Sequence, residues 1–402
     1  MVRLSTLFLG AMLVLPGASL AAGPADLPAG GCAGKELACA KATTPLLLPD
    51  GTLWLAWTAG GSVSVARSRD LGRSFDAAVV LDPVSKVIDN GPDARPKIVR
   101  DGSGRLTVAY SIFKDEHWNA QVLVSRSTDD GRSFSPPRPL SADPASQRFE
   151  ALALLPSGDV FAAWIDKRDA AAAKRAGRDY PGAALAYAWS KDGGETFGTA
   201  RIAQDNSCEC CRLAVALTPS GHPAILFRNI YDGEVRDHAI TTFTDTGESG
   251  PVYRVSVDDY KIDGCPHHGP SLAIAADGTY HATWFTNGHV RQGLFYARST
   301  DGGQSFSAPM LLAGPDRQAA RPFVLATAEG IWLSWKEFDG ERTLVRARVS
   351  HDDGSSWSAT QTVAQTDDAS DHPLLVSDGH GTFLSWMTRN EGYRLIRLGQ
   401  SS

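Results

Sequence analysis

Short runs in which apolar and polar residues alternate recur along this chain: SVSVARS, QVLVSRS, LAYAWS, LFYARS and LVRARVS. A period of two marks a strand that turns one face inward. Upstream of each lies a second run, often closing on an aromatic residue. Trp57, Tyr110, Trp164, Phe227, Trp284, Trp335 and Trp386 follow one another at 51 to 63 residues. A third apolar stretch precedes each aromatic run and usually ends in a turn, as in PLLLPDGT, PKIVRDGSG, LALLPSGD, LAIAADGT and VLATAEG. Short strands joined by tight turns at a regular period predict an all-β fold of four-stranded antiparallel blades stacked around an axis. Units start near Thr44, Arg95, Glu150, Arg212, Pro270, Arg321 and His372, which makes seven blades, with six plus an appendage as the alternative. The last unit, HPLLVSDGHGTFLSWMTRNEGYRLIRLG, runs out after three strands. The segment KELACAK is expected to lend the missing outer strand and close the ring.

One turn is repeated between the third and fourth strands: SRDLGRSF from Ser68, STDDGRSF from Ser127, SKDGGETF from Ser190, STDGGQSF from Ser299 and SHDDGSSW from Ser350. The fourth unit keeps only TDTGES around Asp245. In such a turn the carboxylate accepts backbone N–H groups, glycine takes a positive φ, and the closing aromatic packs into the blade. Equivalent aspartates spread around a ring do not converge on one place, so Asp70, Asp129, Asp192, Asp301 and Asp352 are read as structural. The pattern resembles the Asp-box (BNR) repeat of the sialidase-like β-propeller superfamily, over essentially the whole mature chain. The resemblance implies a functional mouth on the face opposite these turns. It also implies three arginines that clamp a carboxylate, a Tyr–Glu nucleophile pair and an acid/base Asp. The opening strand, AKATTPLLLP, lacks the first arginine of that set, and no Tyr–Glu pair can be assigned.

Charge and the N-terminus narrow the function. A formal net charge of −6 leaves no basic footprint for nucleic acid. Residues 1–21 read as a secretory signal, with Arg3 ahead of an apolar run and small residues at its end, so a periplasmic or secreted protein is expected. The mature chain, 24–402, reads as a single propeller domain. No later apolar run is long enough to span a membrane.

On the expected mouth, the loops that approach each innermost strand bring Asp93, Arg95, Arg148, Glu150, Arg212, Arg321 and His372. Loops joining the second strand to the third bring Asp166, Arg168, Arg228, Arg236, Asp237 and Lys336 among others. Glycoside hydrolysis needs two suitably placed carboxyl groups. Asp93, Glu150, Asp166 and Asp237 are the candidates, with Arg212, Arg228 and Arg321 as parts of an anion clamp. The inserted segment AAAAKRAGRDYPGAA after Asp169 is either a short helix or lid, or a tolerated excursion.

The six cysteines divide into two groups. Cys32 and Cys39 suit a local disulfide in an exported protein. SCECC (207–211) and GCPHHG (264–269) precede the innermost strands of consecutive units and are expected side by side. Disulfide stapling, a soft-metal site for copper or zinc, and thiol exchange all remain open for Cys208, Cys210, Cys211 and Cys265. If Cys-Glu-Cys-Cys is extended, Cys211 points away from Cys208 and Cys210. The first ligand set is then Cys208, Cys210 and Cys265 with His267 or His268. Two functions follow: an exported metal-binding propeller, or a sialidase-like exo-glycosidase or glycan-binding protein acting on a small acidic sugar.

Overall fold

The computed structural model describes Cys32 and residues 34–81, 87–180, 182–244, 246–264 and 266–399. The expected signal segment, Asp245 and Cys265 lie outside the described residues. The alternating runs form strands, and the strands collect into seven antiparallel sheets. Innermost in each is Ala42–Leu47, Lys97–Arg100, Gln147–Leu154, Ala214–Leu217, Ser271–Ile274, Ala320–Thr327 or Leu374–Ser377. Each of these touches the next, and the last returns to the first. The molecule is therefore a seven-bladed propeller, not six blades and an appendage.

The second strands are the most buried because a neighbouring blade covers either face. Leu53–Ala59, Val160–Asp166 and Thr382–Thr388 bury every side chain. Trp57, Trp164, Trp284, Trp335 and Trp386 are the largest fully buried residues. An indole N–H left unmet there would forfeit its hydrogen bonds to water. Each one finds an acceptor: the Lys35 carbonyl at 3.0 Å, Asp166 at 2.9 Å, Asp258 at 2.8 Å, Glu337 at 2.8 Å and the Asp371 carbonyl at 3.0 Å.

Among the described residues the seventh blade has three strands, Leu374–Ser377, Thr382–Thr388 and Gly392–Arg397. The expected loan from KELACAK does not occur. Leu37–Cys39 is a 3-10 turn that packs with Trp57, Met387 and Tyr393, and Cys32 and Cys39 form the expected disulfide. Their Cα atoms are 5.3 Å apart across a sequence separation of 7, whereas an extended segment of that length spans about 23 Å. The bridged loop is folded back on itself and cannot be a strand.

Closure rests instead on apolar packing of Leu47 and Leu53 with Phe383 and on Asp371, which has no exposed surface. Its Oδ2 accepts the Thr43 N–H at 2.8 Å and the Thr43 hydroxyl at 3.2 Å. Arg95 donates to both carboxylate oxygens, at 2.7 and 3.2 Å, and also to the Thr43 carbonyl at 2.7 Å. One carboxylate thus ties the seventh, first and second blades.

The repeated turns share one geometry. In the first, Asp70 Oδ1 accepts the Ser68 hydroxyl and the Ser74 N–H, each at 2.8 Å, and Oδ2 accepts the Ser74 hydroxyl at 2.6 Å. Gly72 lies at φ 82° and donates its N–H to Ser68 Oγ at 2.8 Å. The hydroxyl of the following Ser, then its N–H, draws Asp70, Asp129, Asp301 and Asp352 down to about 2. Asp192 reaches about 2 against its partial burial through the hydroxyls of Ser190 and Thr196.

Two outcomes are expected. Asp371→Ala strands the buried Arg95 and lowers the unfolding free energy by about 3–5 kcal/mol, as read by denaturant titration; a loss under about 1 kcal/mol would show that closure lies elsewhere. The aspartates of the turns titrate near 2 when folded, against an ordinary 3.8. The stability they add is complete above the unfolded value and disappears as pH falls through the folded one. Denaturation midpoints should drop between pH 4 and 2, and a variant with all five aspartates changed to Asn should show a flatter slope there.

Candidate functional site

The mouth is built where the innermost strands begin, and two of these strands bulge there. The register shifts between Arg148 and Ala151 and between Ala320 and Phe323, with Phe149 at φ 56° and Arg321 at φ 59°. Bulges re-aim side chains at the cost of backbone strain. Here they fix the settings of Glu150 and Arg321.

Asp93 sits among charges from three blades. Its Oδ1 accepts Arg212 Nη1 at 2.7 Å and its Oδ2 accepts Arg321 Nη1 at 3.1 Å. Arg321 also donates to the His267 carbonyl. Burial alone would raise the Asp93 carboxyl, but the Arg321 and Arg212 guanidiniums outweigh it and hold Asp93 below the usual carboxylate range. Glu150 goes the other way. Desolvation raises it despite Lys97 and a 2.6 Å hydrogen bond from Ser111. Desolvation likewise brings Lys97 down to about 8, with Glu150 opposing. Burial and then the charges of Arg321, Arg95, Arg212 and Lys336 keep His372 neutral, well below 6.5. His268 is held neutral by burial and then by Arg321. Glu150 Oε1, His268 Nδ1 and His372 Nε2 are buried with no protein partner.

Other predicted residues are placed differently. Asp166 accepts the Trp164 indole and a forked pair of bonds from Arg168, at 3.0 and 2.7 Å. Asp237 accepts Arg254 and the N–H groups of Asp258, Asp259 and Tyr260, which pins that loop. Arg228 donates to the carbonyls of Arg236, His268 and Phe285 at 2.7, 3.1 and 2.9 Å. These three tie loops together, while Asp93, Glu150, Arg212 and Arg321 gather at the axis.

The cysteine loop is a turn at Glu209–Cys210, not an extended segment. The expectation that Cys211 points away is therefore overturned. Cys208 Sγ lies 3.5 Å from Cys210 Sγ and 3.7 Å from Cys211 Sγ, and all three sulfurs fall within 4.8 Å of one another. Each residue is buried. Hydrogen bonds from its two neighbours draw the Cys208 thiol down, and the bond to Cys208 pushes Cys211 up. His267 is exposed, and the His268 ring stacks on Phe285 with centroids 4.1 Å apart. Among the described residues neither histidine joins the sulfur group.

The insertion forms a helix, Arg168–Arg175, which walls a cleft of about 1180 Å³ on the mouth face. Lys174, Arg175, Arg178 and Tyr180 line one side, and the loop carrying Lys114 and Asn119 lines the other. Beside it Trp118 is 67% exposed and meets Phe113 edge-on at 5.0 Å.

No protein-family model matches the chain, and no curated protein matches it in sequence. Solved structures match it in shape. An ulvan lyase of polysaccharide lyase family PL25, bound to -[GlcA(1-4)Rha3S]-, gives a TM-score of 0.58 at 11% identity, over 88% of this chain and 93% of that one. The polysaccharide lyase Uly1 gives 0.54 at 8% identity, over 89% and 90%. The Hadza microbial sialidase Hz136 gives 0.49 at 16% identity, over 87% and 75%. This chain shares its fold with polysaccharide lyases. Function has to be argued from the site.

Sequence reasoning missed Lys97, Asp371 and Trp118. Lys97 and Asp371 differ from ordinary surface charges only by standing next to the start of an innermost strand. Trp118, in KDEHWNA, is the one aromatic in a polar loop and was available as a signal.

Proposed function

We propose that this propeller binds an acidic saccharide across its mouth and cleaves it at the axis. The observation that carries the reading is charge. Around the axis Arg95, Lys97, Arg212, Arg321 and Lys336 face Asp93, Glu150 and Asp371, a cationic surplus inside a chain of net charge −6. Such a surplus in a partly desolvated mouth favours an anionic ligand. The rim cleft adds Lys174, Arg175 and Arg178, and Trp118 offers a flat apolar face on which a sugar ring can stack. The five Ser-x-Asp-x-Gly turns support a place among Asp-box propellers of the sialidase-like kind, and the first residues support export.

Cleavage by hydrolysis needs one carboxyl that keeps a proton and another that stays ionised. Glu150, raised by desolvation, fills the first role, and Asp93, held down by two guanidiniums, fills the second. Elimination is the second reading. It is favoured by His268 and His372, neutral imidazoles beside guanidiniums that would neutralise a uronate carboxylate. A ring nitrogen takes the proton α to that carboxylate, the C=C forms, the β glycosidic C–O bond breaks, and the leaving oxygen takes a proton from Glu150 or water.

Oligosaccharides matched in length, with and without carboxyl groups, test the reading by calorimetry. The carboxylated members should bind, and Trp118→Ala should weaken them about tenfold. Equal affinity for the neutral members would sink it. Glu150→Gln should keep binding and lose about 10²–10⁴-fold in turnover. Products with an unsaturated uronide end would replace hydrolysis by elimination.

A further inference from the structure

The three sulfurs have no part in that reading, and their setting is unlike the rest of the core. Cys208, Cys210 and Cys211 lie against Ala94, Phe149, Leu213 and Phe227, an apolar pocket between the third and fourth blades. The Cys208 N–H is bound to the Arg228 carbonyl at 2.8 Å, which fixes the start of the loop to the neighbouring strand. At 3.5 and 3.7 Å the contacts from Cys208 are too long for sulfur–sulfur bonds, which measure about 2.05 Å. The sulfurs are close enough for one ion to touch all three.

Two buried guanidiniums accompany them. Arg236 donates to Cys208 Sγ through Nη1 at 3.5 Å, while its Nη2 pairs at 3.2 Å with Glu234, whose side chain is half exposed. Arg228 is 1% exposed, and its hydrogen bonds go to carbonyl oxygens alone. Among the described residues no carboxylate pairs with Arg228. A buried cation without a counter-charge is costly, and the nearby sulfurs are where a negative charge can reside. Three thiolates around a univalent ion carry a net charge of −2, which faces the unpaired Arg228 guanidinium and the Arg236 guanidinium shared with the half-exposed Glu234.

We propose that Cys208, Cys210 and Cys211 bind a single Cu(I) ion in a three-sulfur site whose negative charge is met by Arg228 and, in part, by Arg236. An all-thiolate set is soft and suits Cu(I). Zinc takes four ligands in structural sites, and among the described residues no imidazole or carboxylate completes such a set. The site differs from the expected Cys208, Cys210, Cys265 and histidine set, in that Cys211 enters and the histidines stay out.

The full mature chain, reduced and handled without oxygen, should be loaded with Cu(I) alone and challenged with a Cu(I)-specific chelator. One copper per chain should remain, with three sulfur neighbours by X-ray absorption, and the unfolding temperature should rise with added Cu(I). Cys208→Ser and Cys211→Ser should each release the copper and lose that thermal shift. Circular dichroism on the same samples identifies a variant that has not folded. For such a variant Arg236→Met serves instead, with weaker retention by at least about tenfold. The proposal is overturned if the reduced wild-type chain yields all its copper to the chelator, or if it retains Zn(II) in preference. It is also overturned if mass mapping of protein from the exporting cell finds any of the three cysteines in a disulfide, Cys265 included.

Discussion

A ring of stacked sheets needs its first and last members to hold each other, and in this propeller a buried carboxylate does it beside an apolar seam in which Leu47 and Leu53 pack with Phe383. Blades meet through side chains apart from isolated backbone bridges such as Ser207 with Asn229, and the described sheets are separate, so no continuous sheet carries the closure. Nor, among the described residues, is any strand shared between the ends of the chain. The first blade is built from the N-terminal side alone, and the last keeps three strands. Asp371 reaches Thr43 in the first blade and Arg95 in the second, and its own carbonyl receives the Trp386 indole from within the seventh. The same carboxylate accepts the His372 N–H at 2.6 Å. One group that helps to close the fold therefore also places two mouth residues, Arg95 and His372.

That dependence explains how so many charges can be held together at the axis. Each is placed by a bond that is not a ligand contact: Lys97 by the Arg95 carbonyl at 2.6 Å, Glu150 by Ser111, Lys336 by the Ser370 carbonyl at 3.1 Å. Asp93 does not exhaust the arginines around it. It takes Arg212 through Nη1 alone, while Arg212 Nη2 has only a 3.5 Å contact with the Pro322 carbonyl. A forked contact with a carboxylate uses two N–H groups, so Arg212 retains donor capacity for an incoming anion. Both carboxyl groups are buried; burial raises Glu150, and Asp93 goes the other way because the Arg321 and Arg212 guanidiniums outweigh the same effect.

The sequence made the fold legible because the fold is a repetition. Strand alternation, the spacing of Trp57 through Trp386 and the five aspartate turns each report the blade, and they agree. Closure was not legible, because Asp371 occurs once and its partners are 328 and 276 residues away. The mouth was legible in part. Counting back from each innermost strand found Asp93, Glu150, Arg212 and Arg321. It could not separate them from Asp166 and Asp237, whose oxygens are taken up by an indole, an arginine pair and loop N–H groups. The same limit applied to the cysteines. A two-residue alternation assumed for SCECC sends Cys211 outward, whereas the turn at Glu209–Cys210 folds it back to Cys208.

The mouth and the sulfur pocket are chemically separate, yet they share a backbone. Cys211 is followed directly by Arg212, and the segment enters its innermost strand two residues later at Ala214. Whatever fixes Cys211 therefore fixes the base of the arginine that grips Asp93. A side chain displaced by about 1 Å can cost two orders of magnitude in rate, so loss of the proposed ion from the sulfurs would disturb the axis without any sulfur touching the proposed saccharide. A fall in turnover on replacing Cys208 or Cys211 would thus not make either one a catalytic residue. Metal content, read apart from activity, separates the two sites.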